Sequence, residues 1–352
     1  MNKYHELFIF ITLLMLVGCG GGGGQESPSN FLNNCDTALI QKATTNTETG
    51  WKKVAENIPW GSRDAGATVV HNCRIWLLGG WTYTNAGAKD LNDSWATPDG
   101  VLWEQFHPPM THGMYPMAAS FRGRILYMGG MRDSRLPTEH ISNEIWTSLD
   151  GENWTMETGS AQWEPRIGSA IVEFNNALWI LGGKTKNSGD SGVFRNDVWR
   201  SSDGIRWEKV LEHAPWAARA FHCVVVHQGR IYLIGGGDWD SLIGMNDVWS
   251  SADAINWKQH PNAPWKPRIW HTCTNYKNML LVIGGRTFDP INTVGDIWGT
   301  LDGDNWAISS VPIAPSPRHA AYSAVYNNRF WLMGGSYIEG YLPSDVWQFY
   351  SN

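Results

Sequence analysis

Residues 219 to 257 alternate between apolar stretches and short polar breaks. Ala220 to Val226 is mostly apolar, and Gln228-Gly229 interrupts it. Ile231-Tyr232-Leu233-Ile234 follows and stops at Gly235-Gly236. After a polar stretch the pattern resumes at Asp247-Val248-Trp249, turns at Ser251-Ala252-Asp253-Ala254, and ends near Trp257. Val, Ile, Tyr and Leu suit a pleated, half-buried surface, so the pattern predicts four short strands. The first two fall over roughly 221–227 and 230–234. The Gly pair marks a place where the backbone bends, or where a neighbour approaches too closely for a Cβ.

The same pattern recurs six times. Gly-Gly pairs begin at Gly79, Gly129, Gly182, Gly235, Gly284 and Gly334, in steps of 50, 53, 53, 49 and 50 residues. Each is followed by an acid, one residue and a Trp: Asp93/Trp95, Glu144/Trp146, Asp197/Trp199, Asp247/Trp249, Asp296/Trp298 and Asp345/Trp347. Five units add Asp-Gly or Asp-Ala and a second Trp: Trp103, Trp154, Trp207, Trp257 and Trp306. Asp-Gly is a hairpin turn signal. The acid of each acid-x-Trp reads as structural, satisfying backbone N–H groups near the loop.

This grammar, at a period near 50, resembles the kelch repeat, and the resemblance runs from about residue 51 to the end. It implies an all-β, six-bladed kelch-type β-propeller over 47–352, with four antiparallel strands per blade. Unit six stops at Asp345 to Tyr350 without a last strand of its own. Gly50-Trp51-Lys52-Lys53-Val54 matches the missing piece, as in Arg206-Trp207-Glu208-Lys209-Val210. The N-terminal strand is therefore expected to complete the C-terminal blade and leave no open sheet edge. Propellers of this kind include enzymes and binding modules alike, so the repeat alone does not assign a function.

The repeat also accounts for most of the 22 tryptophans. Trp60, Trp163, Trp216 and Trp265 stand three residues before a recurrent Arg position, and Trp76, Trp179 and Trp331 precede Gly-Gly. A buried Trp removes roughly 150–250 Å² from water, so these read as packing residues. Only Trp81, Trp239 and Trp270 lie outside the pattern. A net charge of −6 gives no electrostatic footprint for DNA or RNA. No Cys/His spacing reads as a zinc site, Asp238-x-Asp240 is only a fragment of a calcium cage, and no cofactor is implied.

Residues 7–17 form an eleven-residue apolar run behind Lys3, too short for a permanent membrane span but right for a secretory signal. Leu16-Val17-Gly18-Cys19 resembles a bacterial lipobox. That resemblance implies a lipoprotein signal peptide over 1–18, acylation of Cys19 and a tether over 19–46. It also implies a lipid-anchored, cell-envelope location. Gly20 leans toward the outer membrane. Export would place Cys35, Cys73, Cys223 and Cys273 in an oxidising compartment. Pairing of Cys35 with Cys73 would pin the leading segment to the propeller; Cys223 and Cys273 read as buried free thiols.

In a four-stranded meander the turns after strands one and three emerge on one face. The loops after strands two and four emerge on the other. The loops after strand two (81–92, 131–143, 184–196, 237–246, 286–295 and 336–344) are long and differ, which is where recognition usually lives. At the head of strand one, sixteen residues before each Gly-Gly, stand Arg63, Gly113, Arg166, Arg219, Arg268 and Arg318. Five guanidinium groups on the loop face read as a ring for a carboxylate or phosphate. The alternative is that each braces a neighbouring blade. In kelch adaptors of ubiquitin ligases the matching arginines read acidic peptides. His222 and His271, three residues further on, could donate near the axis, and Trp81 and Trp239 could stack on the ligand. Gly113 would leave a doorway in the ring.

The leading expectation is thus a non-enzymatic, monomeric envelope module. It would bind an anionic glycan or acidic peptide through Arg63, Arg166, Arg219, Arg268, Arg318, His222, His271, Trp81 and Trp239. The alternative is a carbohydrate-active enzyme. Six-bladed periplasmic kelch proteins include sialic acid epimerases, which use Arg and Glu in the central cleft. Here Glu139, Glu173 and Glu339 are scattered rather than repeated. No constellation like the copper site of galactose-oxidase-like enzymes is found, nor any nucleophile–base pair.

Overall fold

The structure is a computed structural model that describes residues 49–84, 87–132, 141–185, 192–311, 314–337 and 343–350. The signal peptide, Cys19, the tether, Cys35, Glu139, Glu339 and Tyr341 lie outside the described residues.

Alternating apolar stretches form six antiparallel blades of four strands each; the third gains a short extra strand at Arg166–Ile167, and Trp81–Thr84 pairs with Gly87–Asp90 in a small separate hairpin. The fourth blade consists of Cys223–His227, Arg230–Asp238, Ile243–Ser251 and Trp257–Gln259. Its pairing runs Cys223↔Ile234, Leu233↔Trp249 and Ser251↔Trp257. The blades pack face to face. Phe174, Trp179, Leu181 and Val198 of the third blade share one cluster with Trp216, Ile231 and Leu233 of the fourth. Among the described residues, no helix is long and apolar enough to cross a membrane.

The ring closes through its ends. Gly50–Glu56 pairs antiparallel with Asp345–Tyr350, from Gly50↔Tyr350 through Lys53↔Trp347 to Glu56↔Asp345. Trp51 is buried against Phe330 and Phe349.

Neighbouring blades are stitched at the Gly pairs. The second Gly of each of five blades donates its N–H to the head of the next blade: Gly80 to Gly113 O, Gly183 to Arg219 O, Gly236 to Arg268 O, Gly285 to Arg318 O, and Gly335 to Arg63 O. A Cβ on Gly236 would collide with the backbone and side chain of His222. The Asp-Gly turns have a second role. Gly151, at φ +82°, lies against the indole of Trp76 from the preceding blade, leaving no room for a side chain.

Two expectations need correction. Strand two does not end at Gly-Gly in four blades: in the second it runs on to Met131, and in three others it goes further. In those three it continues past a bulge and pairs on into strand three, giving extended hairpins at Ala177–Thr185 with Val193–Ser201, Arg230–Asp238 with Ile243–Ser251, and Met279–Phe288 with Ile291–Thr300. The stretches 237–246 and 286–295 are therefore largely strand, as are the described residues of 184–196. Secondly, Cys223 and Cys273 are not free thiols. They form a disulfide between the first strands of blades four and five, with Cα atoms 5.9 Å apart. Cys73 is also disulfide-bonded.

Candidate binding site at the channel mouth

The five arginines are not a ligand ring. Arg63, Arg166, Arg219, Arg268 and Arg318 are each 0–2% exposed. Each guanidinium makes a two-point contact with the acid of its own acid-x-Trp. In Arg166 both nitrogens meet Asp197 at 2.9 Å, and Nη1 also donates to Gly182 O at 3.0 Å. Arg63–Asp93, Arg219–Asp247, Arg268–Asp296 and Arg318–Asp345 repeat this, with the same bond to the first Gly of the pair. Nε is taken by a nearby carbonyl in every case. No face of these groups is left for a carboxylate or phosphate. Each Arg locks the head of strand one to strand three of its own blade.

The acid is structural, as expected; its main partners are the Arg and Trp side chains, and Asp247 and Asp296 also bond their own backbone N–H. In all six copies it accepts the indole N–H of the Trp two residues on, at 2.7–2.9 Å. Burial by itself raises the carboxyls of Asp93, Asp197, Asp247 and Asp296. The Arg and Trp bonds outweigh that and hold them below their ordinary range. In blade two Gly113 opens no doorway, because Leu91 O sits where its Cβ would be. There the acid is Glu144, 3.8 Å from Nδ1 of His112.

His222 and His271 wedge between blades. Nε2 of His271 lies 3.1 Å from Ile234 O of the preceding blade, and the His222 ring packs against Gly182 in the corresponding place. Burial first, and then the adjacent arginine charge, pushes both down to about 3. They stay neutral and cannot bind an anion by charge. Asp238 accepts N–H bonds from Asp240 and Ser241, and Asp240 pairs with Lys184 at 2.6 Å. The pair is a turn cap and an inter-hairpin bridge. Among the described residues no group of three or more His, Cys, Asp or Glu could hold a metal.

The axis carries what the repeat left out. Two residues after each Arg position, the backbone is left-handed in all six blades: Ala65, Tyr115, Gly168, Phe221, Trp270 and Ala320, at φ +49° to +63°. Bulky residues rarely adopt this conformation, which costs of order 1–3 kcal/mol each. Its recurrence makes it part of the frame. Backbone bonds link these positions from blade to blade: Tyr115 N–H to Ala65 O, Phe221 to Gly168, Trp270 to Phe221, and Ala320 to Trp270. Three of the six side chains are aromatic and meet on the axis. Tyr115 and Phe221 are 5.0 Å apart, Phe221 and Trp270 5.2 Å, and Tyr115 stacks parallel to Trp270 at 6.2 Å. A cavity of about 160 Å³ adjoins these rings and is lined also by Ser169, His222, His271 and Thr272.

On the loop side of this plug lies a polar and aromatic shelf. Trp239, at the tip of the fourth hairpin, packs on Trp270 at 4.7 Å and Phe288 at 5.7 Å. The Arg286 guanidinium lies over Trp239, 5.2 Å from the ring centre. Arg286 makes no ion pair among the described residues, and its Nε is buried without a partner. His319 stacks on Trp270 at 5.3 Å and bonds Thr293 at 3.1 Å. Burial, then the Arg286 charge, pushes His319 down to about 3. Trp81 stands apart from Trp239, edge-on to Tyr83 at 4.4 Å. Its backbone pairs with that of Asp64. The Asp64 carboxyl is buried and is pushed up to about 7 by that burial, and no side-chain hydrogen bond to it is seen among the described residues. The Tyr115 hydroxyl is pushed above its ordinary range by burial and then by Asp64, and Arg286 opposes this.

Sequence reasoning missed Asp64, Tyr115, Arg286 and Trp270 as site residues. Trp270 carried a signal, since it was one of three tryptophans the repeat did not use.

The repeat, the six sheets and their closure now stand together with the sequence match over residues 218–250, which is to the kelch motif. This is a six-bladed β-propeller with a kelch motif in its fourth blade. No curated protein matches the propeller's sequence. Among solved structures the propeller is similar to one titled "Structure of YjhT", with a TM-score of 0.65 at 14% identity, covering 81% of this chain and 94% of that one. At that identity the likeness concerns the fold alone.

Proposed function

We propose that the propeller is a lipid-anchored binding module of the cell envelope that holds an anionic, ring-bearing ligand at the loop-side mouth. Cys19 is its anchor, and the ligand is a sugar acid within a glycan or an acidic peptide. One observation carries the reading. Arg286 is a mouth cation without a carboxylate partner among the described residues, laid on Trp239 beside Trp270, with a buried Nε that bonds nothing. A planar fork over an indole suits a carboxylate attached to a flat or ring-shaped body. Trp81 is a second stacking surface across the mouth. Isothermal titration against N-acetylneuraminate, glucuronate and a peptide with a free C-terminal carboxylate, each beside a neutral analogue, tests it. Acidic ligands should bind more tightly, and Arg286→Ala should abolish the preference. Equal binding of acidic and neutral forms would refute the reading. For the anchor, Cys19→Ser should remove the acyl mass and release the chain from membranes.

A second reading is a carbohydrate epimerase or mutarotase, favoured by Asp64. A buried carboxyl pushed up to about 7 can both give and take a proton at neutral pH. Tyr115 and Arg286 lie within electrostatic range of one another there. Exchange between sugar anomers, followed by NMR with wild type and Asp64→Asn, separates enzyme from binder.

A further inference from the structure

We propose that the face opposite the binding mouth rests on a lipid surface, so that the mouth points away from the membrane. The inference rests in part on the anchored reading above. The observations are a ring of exposed apolar turn tips and the place where the chain enters the fold.

Turns after strands one and three share this face, since Asn72 of a first turn donates to Leu149 O of a third at 2.9 Å. Third turns need an Asp, a small residue and little else. Their remaining positions are free to be polar, yet five of them carry apolar tips. Leu102 is 71% exposed and Leu149 69%; Ile255 and Leu301 are also exposed, and Ile205 is half-buried. The sixth blade has no such turn. Its last strand begins at Gly50, paired with Tyr350, whereas Glu56 pairs with Asp345 at the mouth end. The leading segment thus enters on the face that the five tips occupy, at the one position of the ring without a tip.

Cys19 precedes Gly50 by 31 residues, 50 − 19. Fully extended, that many residues reach at most about 110 Å, and they tether the fold by this face. The tips are single residues separated by charged turns, and so lack the contiguous apolar centre of a protein interface. They suit shallow insertion at the headgroup boundary. The turn carboxylates of Asp150, Asp253 and Asp302 accept their own turns' N–H groups and stay ionised, so it is the apolar tips and not the turn charges that favour the lipid. Arg122, Arg206 and Lys277 stand exposed on the same face.

The test uses the full-length chain on vesicles of phosphatidylethanolamine with a minority of phosphatidylglycerol and a photoreactive lipid. Crosslinked peptides are mapped by mass spectrometry. Crosslinks should concentrate several-fold on peptides containing Leu102, Leu149 and Ile255, relative to hairpin peptides containing Ile243 and Ile291, which are also exposed and apolar. Leu102→Asp with Leu149→Asp should cut that signal several-fold without altering the melting temperature. Crosslinks spread over both faces, or concentrated on the hairpins, overturn the inference. So does chain-to-chain crosslinking through the tips, which would make a second copy the occupant. Intact mass reads acylation of Cys19 separately, so a missing lipid would fail the anchor reading without deciding the crosslink map.

Discussion

Arg219 and Asp247, 28 residues apart in the chain, meet through two parallel hydrogen bonds of 2.6 and 2.7 Å, and Asp247 also accepts the indole of Trp249 at 2.8 Å. The guanidinium is fully buried and the carboxylate largely so. Four more blades repeat the triangle, so the most arginine-rich feature of the sequence is a set of internal braces.

Breaking one brace should destabilise the domain without touching the mouth. Arg166→Ala leaves Asp197, 4% exposed, as an uncompensated buried charge and should cost ~3–5 kcal/mol in urea unfolding. Arg166→Lys recovers only part, because an ammonium cannot reproduce the two-point contact. Titration with an acidic ligand should give an unchanged affinity in both variants. A drop in affinity with full stability would restore a ligand role to the arginine.

Acid should act through the same braces. The lowered carboxyls of Asp93, Asp197, Asp247 and Asp296 contribute stability that is present above their unfolded value near 4 and lost as pH falls through their folded values. His222, His271 and His319, pushed down to about 3, add a loss that begins as pH falls below 6.5. Melting temperature should therefore decline gently below pH 6.5 and steeply below about pH 4. A flat profile from pH 7 to 3 would contradict it.

Asp64 works in the other direction. Its raised carboxyl contributes stability that is fully present below pH 3.8 and lost as pH rises through 7. Asp64→Asn should gain on wild type by ~2–4 kcal/mol between pH 4 and pH 8. Denaturant melts at the two pH values measure this, and an equal difference at both would mean Asp64 titrates normally.

The disulfide should stabilise one junction of the ring. Cys223 and Cys273 are 50 residues apart, which in the chain-entropy account is worth at most ~4 kcal/mol. Cys223→Ser with Cys273→Ser should lower the melting temperature and make it indifferent to reductant at this site.

Closure gives the fifth expectation. Removing residues 1–54 takes away the strand paired with Asp345–Tyr350 and exposes its edge, whereas removing 1–48 leaves that strand whole. The first truncation should melt well below the second, as judged by circular dichroism.

The architecture was legible because each structural job recurs. Gly-Gly, acid-x-Trp and Asp-Gly or Asp-Ala each repeat five or six times, and so does the arginine. Repetition also misled. Five arginines at one strand position resemble a ring aimed at the axis, and nothing in the spacing shows that each turns back onto the Asp 27 to 31 residues further on. The mouth was harder to read because it is built from exceptions. Asp64 stands where other blades have Met114, Ile167, Ala220, Ile269 and His319, Tyr115 where three others have only Ala or Gly, and Arg286 lies in a stretch that reads as loop but folds as strand. The pairing of Cys223 with Cys273 escaped notice because their positions differ by one residue relative to their arginines, and the register between blades absorbs that offset.

The left-handed belt around the axis separates frame from aperture. Its backbone conformation is common to Ala65, Tyr115, Gly168, Phe221, Trp270 and Ala320, while their side chains range from none to an indole. The bore of the propeller is therefore set by three rings standing on a hoop that does not depend on them. Trimming Tyr115, Phe221 and Trp270 would convert a stoppered barrel into a conduit of the same construction, and calibre could drift over evolutionary time without disturbing a single blade.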